Sequence, residues 1–334
     1  MARFIVPAVE CFVGKKRGIE AKLARLAALS KEPVSVATSD ELRTYLADTS
    51  NFVVAEAAAI VGKAKLAELG PDLTAAFDRF MVDAEDSDKQ CRAKFAIAEA
   101  LNQIEFDKPE AFLRGIRHFQ FEPVWGKSVD TAGHLRGASA FGLVRLHHRD
   151  VLALVVDLLA DPEMVARVAA VQALEGIGSV AAVPLLRLKA RLGDQEPEVT
   201  CECLSVLLRM EPEAVAFVAE FLREGDEAVQ EGGALALGET RRPGAFDVLR
   251  DFATDSQPGT VRDAVFLAIS MLRLPVAIDF LLERISQKET ARSAIATLAI
   301  HRHNERIRER VTAAVAQSKD AALQAWLERK FRET

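Results

Sequence analysis

Polar-tipped aromatics are scarce in this chain: among 334 residues there are one Tyr and two Trp, and aromatics make up 6% in all. Gly (18) and Pro (12) are also few, which excludes collagen-like or low-complexity chain. The four cysteines, Cys11, Cys91, Cys201 and Cys203, are too few and too unevenly placed for a disulfide framework. They point to reduced thiols in a cytoplasmic protein. No run of about 18 apolar residues occurs, so no transmembrane span is expected. The apolar stretch between Met1 and Pro7 is too short for a signal peptide. A basic excess is missing too. The formal net charge is −6, which argues against a general nucleic-acid binder while leaving room for a local basic patch.

What is present is helix-forming sequence. Half of the chain is apolar and 28% is charged, enough to bury a core and stay soluble. Ala supplies about one residue in six, a composition that favours helix over sheet. The chain is also internally repetitive. Val165 to Leu174 and Val261 to Ser270 both place small and aliphatic residues on one helical stripe. Similar blocks begin near Arg92, His134, Val199, Val229 and Thr290, and more weakly near Phe52. A period of this kind is the mark of a helix-pair array.

Each block reads as two helices. An acid opens the first: Asp130, Asp161, Glu196, Asp226 or Asp255. A carboxylate there accepts the unpaired N–H groups of the first turn. Pro162, Pro197 and Pro258 follow, where a fixed φ suits a helix start. Ala138, Ala169, Gly232 and Ala264 are small enough to let the paired helix approach. The second helix opens near Pro71, Pro109, Pro184, Pro212, Pro243 or Pro275.

The run from Asp161 to Gly178, followed by Val183 and Pro184, resembles HEAT repeats of the bacterial HEAT-like, bilin-lyase type. The Asp-to-Arg interval of Asp161/Arg167 recurs at Asp130/Arg136 and, one residue longer, at Asp255/Arg262. In HEAT arrays such residues pair between neighbouring repeats. Segments 122–132 and 237–241 are similar to a bacterial HEAT-repeat group that brings no catalytic residues. The resemblance implies an all-α fold, a right-handed α-solenoid of about eight antiparallel helix pairs. Residues 1–39 do not fit the repeat and are expected as an N-terminal extension and capping helix, with Leu23, Leu26 and Leu29 on one stripe. Ser39 is expected to cap a short helix over 40–48. Residues 40–334 are expected as one continuous array, closed by an amphipathic helix with Leu323, Trp326 and Leu327 inward. The Arg ladder is broken where Cys201, Glu231 and Asp263 stand in place of Arg167.

No catalytic signature emerges, so the chain is read as a non-enzyme without metal or cofactor. None of the six histidines, His118, His134, His147, His148, His301 and His303, is followed by Glu. Adjacent His147 and His148 diverge by about 100° on a helix, a poor chelate. Cys201 and Cys203 diverge by about 200° and read as small core residues. There is no nucleophile elbow, phosphate-binding loop or dinucleotide fingerprint.

Two features remain. On the second helices stand Arg114, Arg117, Arg187, Lys189, Arg191, Arg250 and Arg284. In HEAT arrays second helices line the concave face, so these residues would form a positive groove for an acidic protein or peptide. The bland alternative is a solvated face balanced by acids such as Glu220, Asp247 and Glu283. The other feature is the connection 118–130, which breaks the spacing and combines Phe119, Phe121 and Trp125 with Pro and Gly. Trp125 is either an interface anchor or, with the phenylalanines, a plug folded into a repeat junction. Arg241 lies in a turn that could reach a partner. The leading expectation is a protein-interaction scaffold or adaptor. The alternatives are a nucleic-acid-binding or base-repair protein, and an accessory lyase-like subunit.

Overall fold

The computed structural model describes residues 8–253 and 258–332, with side chains for 18–253 and 258–331. Asp255, expected as a cap, and residues 1–7 lie outside the described residues. Among the described residues the structure is all-α apart from one hairpin, and the chain divides into two compact units at Ile177 and Gly178.

The first unit begins with α1 (Ala8–Leu29) and α2 (Val36–Leu46). Leu26 and Leu29 of α1 are buried, and Leu23 is half-buried, as their spacing requires. Ser35, not Ser39, caps α2, its hydroxyl accepting from the Thr38 amide at 3.2 Å. Ser39 is buried inside the helix and donates to Glu68 at 2.9 Å.

Helix pairs follow: α3 (Asn51–Ala64) with α4 (Gly70–Phe80), then, after the short α5 (Ala84–Ser87), α6 (Arg92–Gln103) with α7 (Glu110–Gly115). Next come β1 (Phe121–Val124) and β2 (Lys127–Asp130), α8 (Gly133–Arg145) with α9 (Val151–Leu158), and α10 (Met164–Ile177). The second unit opens with α11 (Ala182–Leu192). Its pairs are α12 (Pro197–Met210) with α13 (Val215–Glu224), α14 (Glu227–Glu239) with α15 (Pro243–Phe252), α16 (Gly259–Met271) with α17 (Pro275–Arg284), and α18 (Ala291–Leu298) with α19 (Glu305–Ser318). Helix α20 (Ala321–Arg332) closes it, burying Leu323 and Leu327 against α18 and α19. Trp326 is half-buried and donates from Nε1 to the Arg292 carbonyl at 3.2 Å.

Most of the expected prolines stand in first turns, with Pro71, Pro197, Pro243 and Pro275 at the first or second helical position. Glu196 does not cap through its side chain; Asp194 accepts from the Glu196 amide at 3.0 Å instead.

In each unit the helices sort into two unequal layers. First helices α3, α6, α8 and α10 touch along their lengths, and so do α12, α14, α16 and α18. Second helices are spaced more widely. The cause is residue size. A Cβ on Gly238 of α14 would sit 2.6 Å from the Ala268 carbonyl oxygen of α16, so this crossing requires glycine. Gly232 likewise faces Cys201 of α12. These small residues therefore bring first helices of successive repeats together, rather than the two helices of one pair as expected.

Candidate functional site

The first unit holds a buried ionic ladder at the starts of its first helices. Asp88 caps α6, accepting from the Ala93 amide at 2.8 Å and the Lys94 amide at 3.0 Å. Its carboxylate also meets the Lys94 ammonium at 3.2 Å, both side chains being fully buried. One step on, Asp130 accepts from the Ala132 amide at 3.0 Å and pairs with Arg136 at 2.7 Å. Arg136 spans to the next step, donating from Nε and Nη2 to the two oxygens of Asp161 at 2.7 and 2.6 Å. A fork-to-carboxylate pair of this kind is strong and directional. Burial pulls the Arg136 guanidinium down, but its bonds and charge contacts with Asp161 and Asp130 together carry it above the ordinary value. Asp161 then accepts from the Glu163 amide at 2.8 Å.

The pairing inferred for Asp130/Arg136 across repeats is thus present. Asp88 and Lys94 stand at the same interval, a third rung that sequence reading missed because it sought Arg alone. The periodic Asp with any cation six residues later was the available signal.

This ladder anchors the hairpin β1–β2. Gln120 donates from Nε2 to the Asp88 carbonyl at 2.8 Å and to Glu122 at 2.7 Å. The Gln90 amide and the Thr131 hydroxyl donate to the same Glu122 oxygen at 2.6 and 3.0 Å. Asp130 accepts from the Gln120 amide at 3.0 Å. Every polar tie at the hairpin's base is buried or half-buried, so the base is fixed by groups that leave poor alternatives in water. His118 beside it, held below the ordinary imidazole range by burial, contacts Gln120 at 3.3 Å.

The rest of the hairpin projects. Its strands pair antiparallel, Phe121 with Asp130 through Val124 with Lys127, across the two-residue turn Trp125-Gly126. Both turn residues have positive φ, +49° and +80°, as a tight primed hairpin turn requires. Gly126 adopts this freely. For Trp125 the left-handed region costs about 1–2 kcal/mol. Trp125 is 101% exposed relative to its reference state. Phe119, Phe121, Val124 and Val129 are each exposed by 40% or more. Phe119 and Phe121 stack with ring centroids 6.4 Å apart, and the Arg136 guanidinium caps Phe119 at 4.2 Å. The plug alternative does not describe this loop: its aromatics face solvent, because the buried face of the hairpin belongs to Gln120, Glu122 and Asp130.

Apart from Arg117, the basic second-helix positions are partnered. Arg114 pairs with Asp78, Arg187 with Glu211 at 2.8 Å, Lys189 with Asp194 at 2.7 Å and Arg191 with Glu220 at 2.5 Å. Arg250 pairs with Asp247 and Asp251 at 2.9 and 2.8 Å. The same arginines lie over rings: Arg187 and Arg191 over Phe217, Arg250 over Phe246, Arg284 over Phe280. This is the balanced helix face, with carboxylates cancelling much of the field. Arg117 and Arg241 are exposed.

The remaining candidate chemistry is structural in its setting. Burial pushes the Cys91 and Cys203 thiols up to about 12 and Cys201 to about 11, which makes them poor nucleophiles at neutral pH. Among the described residues no group of three or more His, Cys, Asp or Glu is arranged to hold a metal ion. No helix among them is long and apolar enough to cross a membrane. A groove of about 740 Å³ crosses α3 and α6, lined by Ala59, Gly62, Ala96 and Phe95 with Lys63 and Glu99 at its rim.

Comparison with known proteins agrees with the fold. The HEAT-repeat family pattern matches residues 187–270 and again 215–299. No curated protein sequence matches the chain. Two solved structures are similar. One is the complex of CpcE and CpcF of phycocyanin lyase from Nostoc sp. PCC7120, with TM-score 0.36, 15% identity, and coverage of 90% of this chain and 96% of that one. The other is an engineered protein, with TM-score 0.38, 17% identity and 92% coverage of each chain. Helix pairs run through both units, and residues 187–299 carry HEAT repeats.

Proposed function

We propose that the chain is a non-enzymatic protein-interaction scaffold, and that the hairpin finger of its first unit is a partner-binding element. The observation that carries this reading is Trp125, a fully exposed indole in a strained turn on a base locked by buried ion pairs. Folding alone gives no return for that arrangement, since an exposed Asn or Gly would make the turn without strain. An indole offers large contact area with little side-chain entropy to lose, which is why Trp dominates interface hot spots.

The partner's chemistry follows from charge. Of the three charged residues on the hairpin, Glu122 and Asp130 are buried and only Lys127 is exposed. The finger therefore presents an apolar tip with one positive charge, which suits an apolar pocket rimmed by carboxylate on a protein. A finger of ten residues does not supply the roughly 800 Å² per side of a standard interface. The flanking surface must add to it.

The test uses the full chain and its Trp125→Ala variant as paired baits in native lysate, at low and high salt. A discrete protein held by the wild type and lost by the variant supports the reading. Identical retention by both baits removes the finger from the function. Co-eluting nucleic acid with no specific protein replaces the reading with the nucleic-acid alternative.

A further inference from the structure

A second charged surface lies in the second unit, on the edge formed by the turns within its helix pairs. Helices α14, α16 and α18 lie side by side. They run in the same direction, as contacts at their C-terminal ends show. Gly238 faces Ala268, the Ser270 hydroxyl donates to the Thr297 carbonyl at 3.0 Å, and His301 donates to the Ser270 carbonyl at 3.0 Å. The turn after each of these helices therefore emerges on one edge. Those turns carry Arg241 and Arg242, then Arg273, then Arg302, with Arg306 in the first turn of α19.

Arg241 and Arg273 occupy the same place in successive repeats, one residue past the helix cap, with φ of +54° and +57°. They are exposed, as is Arg306, while Arg302 is half-buried. Unlike the second-helix arginines, these four have no side-chain hydrogen bond or ion pair among the described residues. Four carboxylates belong to the same edge: Glu239, Glu211, which meets Arg187 at 2.8 Å, Glu213, which meets Arg242 at 3.5 Å, and Glu305, which meets Arg308 at 3.8 Å. Five arginines against four carboxylates, two of them paired with arginines outside the five, leave the edge positive in a chain whose formal net charge is −6. Each turn joins the C-terminus of one helix to the N-terminus of the next, so the helix dipoles largely cancel and the side chains set the field.

We propose that this edge binds an extended acidic peptide segment of a protein partner. Packed helices are spaced by about 8–10 Å, so consecutive arginines recur at that step. A peptide in the extended polyproline II conformation rises about 3.1 Å per residue with three residues per turn, which presents a side chain to each step every third residue. The arginine fork matches a carboxylate in two-point geometry. A single-stranded nucleic acid fits less well. Such binding relies on aromatic stacking platforms, and the turns 240–244, 272–275 and 299–306 contain no Phe, Tyr or Trp.

The experiment is fluorescence anisotropy of the full chain with labelled octaglutamate, about 26 Å long when extended, beside labelled oligothymidine. Octaglutamate should bind at low salt and weaken as salt is raised. The double variants R241E/R273E and R302E/R306E should each weaken it by about tenfold or more. R250E, at a partnered position on α15, should bind as wild type. Matching far-ultraviolet circular dichroism and melting curves check that each variant is folded. Failure of octaglutamate to bind, unchanged affinity in both double variants, or tighter binding of oligothymidine would each overturn the proposal. The finger is a separate surface, so the two readings fail separately: Trp125→Ala should leave octaglutamate binding intact.

Discussion

The two units join repeated helices by different means. In the first, the starts of consecutive first helices are linked by buried polar groups: Asn51 donates to Asp88, Gln120 bridges Asp88 and Asp130, and Arg136 carries charge across from Asp130 to Asp161. In the second, the position of Arg136 is taken by Cys201, Glu231 and Asp263. There the crossings of first helices rest on small residues such as Gly238, and ring contacts join the second helices and pairs, Phe246–Phe280 and Phe266–Phe280 at 6.1 and 6.3 Å. Ionic joints are costly to desolvate but fix geometry, because a buried charge tolerates few alternatives. Apolar joints of small residues stabilise through contact and accept modest shifts. The finger grows from the first unit, where the thirteen-residue connection 118–130 is held by its buried polar groups. The arginine edge belongs to the unit whose turns are short and regular.

The largest test of this contrast is Arg136→Met. It leaves Asp130 and Asp161 buried without their shared cation, and the expected loss is about 3–5 kcal/mol of stability. Glu231→Ala, at the equivalent place in the second unit, should stay within about 0.5 kcal/mol. Denaturant titration measures both, and hydrogen exchange of α8 against α14 shows which unit has loosened. Equal losses would erase the distinction.

Gly238→Ala probes the second unit's own joint. Its new methyl meets backbone of α16, which cannot swing aside, so about 1–3 kcal/mol should be lost despite better helix propensity. A gain in melting temperature would show that the crossing is loose.

Both units should weaken in acid, each through one histidine. Burial holds His118 and His301 below the ordinary value of 6.5. The unfolded chain therefore takes up these protons first as pH falls. Their contribution is full above about 6.5 and is lost on descending toward the lowered folded values. His301→Gln keeps a donor for the Ser270 carbonyl and should flatten only part of the profile. An unchanged profile would remove His301 from the account.

The smallest stability effect is expected at the most exposed residue. Trp125→Asn relieves the left-handed strain and should raise stability by up to about 1 kcal/mol while abolishing finger-dependent binding. Loss of stability would mean that the indole packs somewhere.

Legibility differed by level. Helix pairs, their prolines and the Asp226 cap of α14 follow from local propensity and period, so they could be read directly. So could the link between Asp130 and Arg136. Lys94 was missed because a lone Lys in an amphipathic helix resembles a solvated one until its burial is known. The hairpin was legible only as a break in spacing: Trp125 and Gly126 are not a common turn pair, and nothing local showed that Glu122 and Asp130 turn inward. For the basic second-helix residues, the sequence marked the charges and some balancing acids such as Glu220, but not Asp78 and Glu211, which come from the preceding or following element.

By itself, then, the sequence determined an all-α chain of repeated helix pairs, because helix propensity, capping and apolar period act within a few residues. Only the tertiary structure decided which charges are spent on one another and which face solvent. Partners such as Arg136 and Asp161, 25 residues apart, or Arg191 and Glu220, 29 apart, meet only when repeats stack. Tertiary structure also set Trp125 outward, because the buried polar groups at the hairpin's base claimed the inner face.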